Sequence, residues 1–271
     1  MTRANILNIQ MNPKIGDKMY NCNKAGQFIS DNSKEGLDLV VLPEFFSTGI
    51  DDISFVENPE EENKSGVIAY FCELARQFST NIICGTIIEK AQNGKLYNTS
   101  YAINRHGEIV NKYKKIHLYN YLGGNEGKTI SAGVTPAVAE FDFARVGMSV
   151  CFDIRYPLLY KTLIKMGAEI IVSPSAWSVL STNNPNDTAD FINCWRAFNI
   201  TRAAENLVCF VTSNLVGSGN AYLYSIGNSM IVNPEGKILY NAQNNERAHC
   251  QSVDLELIRR LKKEYPIYNL D

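Results

Sequence analysis

The sequence has no apolar run approaching eighteen residues, so it offers no candidate membrane span. Its opening, "MTRANILNIQMNP", alternates apolar residues but lacks the continuous apolar stretch and small-residue cleavage site of a secretory signal. There are only 3 histidines, at 106, 117 and 249, and the 7 cysteines include no CxxC pair. That scarcity argues against the ordinary zinc spacings, and an odd number of scattered cysteines does not make a secreted disulfide framework. A reducing, cytoplasmic home is the simplest reading. Charge is balanced as well: a formal net charge of -2 gives no electrostatic reason to expect nucleic acid or an anionic membrane as partner. Beyond Lys112, Lys114 and Lys115 there is no basic run, and no repeat, low-complexity tract or Pro/Gly/Ser linker interrupts the chain.

What is there suits a soluble globular protein. The 271 residues are 45% hydrophobic and 20% charged, enough for a substantial core in one large domain or two small ones. Short β-rich runs dominate: 5–10, 37–43, 81–89, 97–104, 108–113, 146–152, 169–174, 207–214, 228–233, 238–242 and 250–255. Several are apolar throughout, as strands covered on both faces are. Ile68, Phe71, Leu74, Ala75 and Phe78 repeat at helical spacing, as do Leu159, Leu163 and Met166. "RHG" (105–107) and "NPEG" (233–236) read as hairpin turns, and the polar stretches 57–64 and 181–188 as surface loops. The pattern fits two sheets packed face to face with helices outside, or a single doubly wound sheet.

Three polar residues end apolar runs. Glu44 follows "LDLVVLP", where Pro43 stops the ladder and Phe45 and Phe46 surround the carboxylate with apolar surface. Desolvation there raises a carboxyl pKa toward general-base work near neutrality; a strand-end salt bridge or cap is the structural alternative. Lys115 closes "NKYKK". It shares a strand face with Tyr113 and His117, although a lysine cluster is more commonly a solvated edge. Cys151 ends "VGMSV", and Pro157 is placed to open a helix just after it. A strand-to-helix elbow lets backbone N–H groups favour a thiolate and its oxyanion, as for the nucleophile of serine hydrolases. A buried cysteine acting as a small hydrophobe is the alternative, and it suits Cys72, Cys84, Cys194 and Cys209 better. With no histidine in a papain-like or caspase-like signature, a carboxylate is the more plausible base.

In this order, "LVVLPEFFSTG", "YKKIHLY", "GNEGKTISAG", "VGMSVCFDIRYPLLY", "RAAEN" and "GNSMIVNPEG" resemble successive blocks of the carbon–nitrogen hydrolase (nitrilase) superfamily, over nearly the whole chain. The resemblance implies a four-layer α-β-β-α sandwich forming a single α+β domain over 1–271, associated into a homodimer or larger assembly. It implies a Glu–Lys–Cys triad on Glu44, Lys115 and Cys151, with Glu126 as a supporting second glutamate. It also implies an oxyanion site made by Lys115 and the backbone N–H of Phe152, and a thioester intermediate that needs no metal or organic cofactor. The expected substrate is a small amide or carbamoyl compound. Tyr119, in the loop 119–125 with Tyr121 and its paired glycines, and Trp177 are the expected pocket-lining residues.

The departures narrow the expectation. True nitrilases in the family tend to carry Trp-Glu after the cysteine, whereas Phe152-Asp153 stands here, which favours an amidase. N-carbamoyl amino acid hydrolases are expected to carry an arginine where Ile200 stands, with Arg196 one helical turn away. Asp153 and Arg155 read as a structural pair at the elbow. The rival classes are a silent ligand-binding protein on the same fold and a Cys–His enzyme that would need His117 beside Cys151.

Overall fold

A computed structural model of the chain describes residues 2–50, 52–121, 124–181, 185–218 and 222–267. Among these, the strands form three sheets. The largest runs Arg247–Asp254, Arg3–Gln10, Leu39–Val41, Asn81–Ile83, Leu96–Ile103, Ile87–Lys90, Glu60–Glu61, with Ile109–Lys114 also paired to Leu96–Ile103. The second runs Ile238–Asn241, Met230–Val232, Cys209–Asn214, Ile170–Ser175, Arg145–Met148, Ala137–Glu140. A small third sheet joins Ser178–Leu180, Leu223–Ile226 and Val216–Ser218.

Strand alternation sorts the first sheet's side chains between two cores. Ala4, Ile6, Leu39 and Val41 face the second sheet and pack in one core with its Val146, Met148, Ile170 and Val172. Leu7, Ile9 and Val40 point the other way, against Ala25 and Ile29 of the helix Lys18–Asn32 and Phe71 and Leu74 of the helix Gly66–Phe78. Outside the second sheet, Leu159 and Leu163 of the helix Pro157–Lys165 and Trp195 and Ala203 of the helix Pro185–Asn206 complete the packing. These are the four layers, α-β-β-α, that the resemblance implies. A doubly wound single sheet is excluded. Among the described residues, no helix is long and apolar enough to cross a membrane.

The sequence and the structure differ in instructive places. The run 81–89 is two strands, because the chain bends at Gly85 (φ +34°). A Cβ there would stand 2.1 Å from the Pro43 carbonyl oxygen, so only glycine lets the "LPE" segment approach. The helix Lys18–Asn32 buries Asn21, Cys22, Ala25, Gly26 and Ile29, a small and partly polar face that shows little amphipathic pattern in sequence. In the stretch 181–188, the helix already starts at Pro185, and residues 182–184 lie outside the described residues. Met166 caps its helix and is exposed, so it is not a core residue. Both hairpin turns stand as read.

Candidate active site

Each residue of the expected triad is delivered by an abrupt end to a strand. After Leu39–Val41 the backbone turns at Phe45 (φ +53°), whose N–H donates to Thr86 Oγ1 (3.0 Å), and Glu44 is left pointing into the protein. Lys115 directly follows Ile109–Lys114. Its N–H donates to the Asn98 carbonyl (2.9 Å) and its carbonyl accepts from the Gly133 N–H (2.8 Å). Cys151 follows Arg145–Met148 at φ +45° and opens the 3-10 turn Cys151–Arg155, after which Pro157 starts the helix. Left-handed backbone at non-glycine residues is strained, and strain of this kind concentrates at functional sites.

The three side chains meet. Lys115 Nζ donates to Glu44 Oε1 (2.9 Å) and to Glu126 Oε2 (2.8 Å). Cys151 lies beside this pair, close enough that the Glu44 carboxylate, the Lys115 ammonium and the Ala176 N–H all act on its thiol. Glu44 is 1% exposed and Lys115 2%. Glu126 lies in the turn Glu126–Lys128; its Oε2 also accepts from the Tyr119 N–H (2.8 Å), which ties Tyr119 to the lysine's partner.

Burial and neighbouring charges decide the protonation states. Burial pushes the Glu44 carboxyl up; the Lys115 charge opposes this and Glu126 reinforces it. Burial also raises the Cys151 thiol well above its usual range, as does the Glu44 charge, while Lys115 and the Ala176 N–H pull it down. Burial works against the Lys115 ammonium, but Glu126 and then Glu44 outweigh it and hold its proton. The resting sulfur is therefore a thiol. This corrects the expectation that the elbow would favour a thiolate: desolvation outweighs the backbone donors, and the proton needs a base in contact. Glu44 is the carboxylate beside it.

The residue after the cysteine, Phe152, sits among aromatic side chains. Phe152 meets Tyr119 (5.3 Å between centroids), Tyr121 (5.7 Å) and Tyr156 (5.9 Å). Trp177, 8% exposed, packs on Trp195 (4.9 Å) in the core and also underlies Arg155. Of the loop glycines, Gly123 lies outside the described residues, as does Leu122.

Asp153 and Arg155 do not pair. Asp153 is fully buried and accepts from the Val150 N–H (2.8 Å), the Tyr113 hydroxyl (2.7 Å) and the His117 N–H (3.0 Å). His117 Nδ1 also lies 2.7 Å from Asp153 and its ring stacks on Tyr156. His117 is thus engaged with Asp153, which removes the basis for a Cys–His enzyme. Arg155 instead lies over the rings of Phe198 (4.9 Å), Trp177 (5.2 Å) and Phe152 (5.8 Å), exposed and with no ion pair among the described residues. Ile200 packs against the core, and Arg196 is exposed on the same helix. A separate cavity of about 620 Å³, lined by Phe141, Phe143, Arg145 and Lys262 among others, contains none of these site residues.

Asn98 was invisible as a site residue in sequence, sitting inside a β-rich run. Its Nδ2 donates to both Glu44 Oε1 (2.8 Å) and Glu126 Oε1 (3.0 Å).

Residues 8–263 match the family model for carbon-nitrogen hydrolase. The chain is 30% identical to the omega-amidase NIT3 of Saccharomyces cerevisiae over 96% of its own length and 90% of that protein's. It is 27% identical to the 2-oxoglutaramate amidase of Bacillus subtilis, covering 96% and 95% respectively. The crystal structure of Saccharomyces cerevisiae Nit3, described as a member of branch 10 of the nitrilase superfamily, superposes with a TM-score of 0.86 at 26% identity, over 98% of this chain and 95% of that one.

Proposed function

The chain belongs to the carbon–nitrogen hydrolase family, as an enzyme acting on C–N bonds other than peptide bonds, and from that premise we propose that it hydrolyses the ω-amide of a small dicarboxylic acid through a thioester on Cys151. The observation that carries this reading is the buried cluster in which Lys115 Nζ donates to Glu44 Oε1 (2.9 Å) and Glu126 Oε2 (2.8 Å), with the strained, buried Cys151 beside Glu44. Glu44 takes the Cys151 proton as the sulfur attacks the amide carbon. The developing oxyanion is met by Lys115 and the Phe152 N–H, where one such donor is worth about 3–4 kcal/mol. Glu44 returns the proton to the departing ammonia as the C–N bond breaks. Water, deprotonated by Glu44, then attacks the thioester; the carboxylic acid leaves and the thiol recovers its proton. Glu126 holds Lys115 in place. None of these steps calls on a metal or organic cofactor.

Arg155 supports the substrate class. An exposed guanidinium over aromatic rings, four residues beyond the nucleophile and without an acidic partner among the described residues, suits the free carboxylate of a dicarboxylic monoamide. This replaces its reading as a structural residue. The names of the relatives, omega-amidase and 2-oxoglutaramate amidase, point the same way. Residues 1–271 are read as one hydrolase domain, cytoplasmic, with all seven cysteines free. We read it as a homodimer or larger assembly, supported by Leu180 and Tyr224 exposed on the small sheet and Tyr222 exposed just before it; light scattering tests this. Nucleic acid and membrane have no place in the reading.

The test is ammonia release from short aliphatic amides, ω-monoamides of dicarboxylic acids, N-carbamoyl acids and amines, and nitriles, with Cys151→Ala and Arg155→Leu alongside. Turnover of ω-monoamides is expected, abolished in Cys151→Ala by at least about 10⁴-fold. Arg155→Leu should lower kcat/KM for ω-monoamides by about 10–100-fold, a charged hydrogen bond's worth, and leave aliphatic amides unchanged. Turnover confined to N-carbamoyl compounds would overturn the substrate class. Activity surviving in Cys151→Ala would overturn the nucleophile.

A further inference from the structure

We infer that Asn98 is the positioning residue that bridges Glu44 and Glu126 and turns one Glu44 oxygen toward Cys151. The inference rests on the reading of Glu44 as the base. The side chains close a ring: Lys115 Nζ binds Glu44 Oε1 and Glu126 Oε2, and Asn98 Nδ2 binds Glu44 Oε1 and Glu126 Oε1. The backbone carbonyl of the same asparagine accepts the Lys115 N–H, so one residue fixes three members of the cluster. Its orientation is not in doubt chemically, since an amide oxygen turned toward two carboxylates would be repelled by both.

Two features mark this asparagine as more than filler. It is 0% exposed in the strand Leu96–Ile103, and asparagine is depleted in strands. Its Oδ1 has no hydrogen-bond partner among the described residues, and an unpaired buried acceptor is costly to keep. What its Nδ2 supplies is a donor without a charge. The cluster holds two carboxylates and one ammonium, and the carboxylates repel across a desolvated space. A second cation there would hold Glu44 too firmly ionised to take a proton. With no donor, repulsion from Glu126 would raise Glu44 further, and the carboxylate would be free to rotate. With Asn98 present, Glu44 Oε1 is taken by two donors, and Oε2 remains for the thiol.

The test reads Glu44 through Cys151 without requiring any substrate. Iodoacetamide alkylates the thiol: the sulfur bonds the methylene carbon, iodide leaves, and the thiol proton passes to Glu44. The rate at Cys151 is followed by mass spectrometry against pH in the wild type, Asn98→Ala, Asn98→Asp and Glu44→Gln. A lost donor raises the pKa of the carboxylate it served. Asn98→Ala should therefore move the acid limb up by about one pH unit, roughly tenfold slower alkylation on that limb, converging with the wild type at alkaline pH. Asn98→Asp adds a third carboxylate and should move it further, although it is the closer match in shape. A purely structural asparagine predicts the opposite order, with Asn98→Asp the milder. Profiles that superpose on the wild type, or that opposite order, overturn the inference. Should Asn98→Asp fail to fold, the Asn98→Ala profile decides alone. A wild-type profile in Glu44→Gln would instead overturn Glu44 as base, a separate failure.

Discussion

Two clusters of lysines and carboxylates sit on opposite faces of one antiparallel pair, Leu96–Ile103 with Ile109–Lys114. On the outer face, Lys112 Nζ reaches Glu62 Oε1 (2.5 Å) and Glu89 Oε2 (3.5 Å), and Lys114 Nζ reaches Glu89 Oε1 (3.2 Å). Tyr101 donates to Glu89 as well, and Lys114 lies over the Tyr97 ring. On the inner face are Lys115, Glu44, Glu126 and Asn98. Residues 114 and 115 are neighbours in sequence, and the pleat sends them to different environments. Outside, the lysine side chains are 32% and 25% exposed and two cations meet two acids. Inside, the lysine is 2% exposed, acids outnumber cations, and a thiol lies beside one of them. In the function proposed above, the same residue types become a reactive centre where water is excluded, negative charge is in excess and a nucleophile is within reach. Without those conditions they fasten strands together.

Among the charges of the two clusters, removing the inner cation gives the largest effect. Lys115→Met should lower ammonia release by about 10²–10³-fold, because an oxyanion donor is lost. It should also cost about 3–5 kcal/mol of stability in urea unfolding, since two buried carboxylates lose their counter-charge. Unchanged stability would erase the distinction between the two faces.

The pH dependence comes next. As the proposed base, Glu44 must be ionised to accept the thiol proton, and burial raises its pKa above the usual carboxyl value. The acid limb of kcat/KM should therefore lie above the ordinary glutamate range, and activity should fall as pH drops through it. The stability sign is the reverse of the common case. Between the unfolded and the raised native pKa, the native state binds more protons, so this group lowers stability as pH rises through that window. Glu44→Gln should remove that contribution, measured as a flatter unfolding free energy against pH.

How much of this was readable in the residues follows from where each one sits. Glu44, Lys115 and Cys151 each interrupt an apolar or strand-like run, and their order along the chain resembles a family pattern, so the sequence exposes them. Asn98 offers no such break. It becomes informative only when a turn 28 residues away brings Glu126 against it. Asp153 and Arg155 look like a pair because their charges are opposite and two residues apart. In the 3-10 turn Cys151–Arg155, however, one side chain is drawn inward to Val150, Tyr113 and His117 and the other lies across aromatic rings. The four layers follow from alternation and from buried strands, whereas the helix Lys18–Asn32 does not, because its buried face is built of small and polar residues.

The smallest effect belongs to the outer face, and it is the sharpest check of the comparison. Lys114→Met removes a cation adjacent in sequence to Lys115, from a carboxylate that is itself only 1% exposed. Were burial of the acid alone decisive, the loss should rival that of Lys115→Met. But Glu89 keeps its bond from Tyr101 and its ion pair with Lys112, and the Lys114 ammonium is partly solvated, so screening has already weakened the interaction that is removed. The expected change is about 1 kcal/mol or less in urea unfolding, with kcat/KM for the ω-monoamide at its wild-type value. A drop in kcat/KM with stability intact would mean that the outer charges reach the thiol through the strand. The two clusters would then be one electrostatic unit, and the division drawn at the pleat would fail.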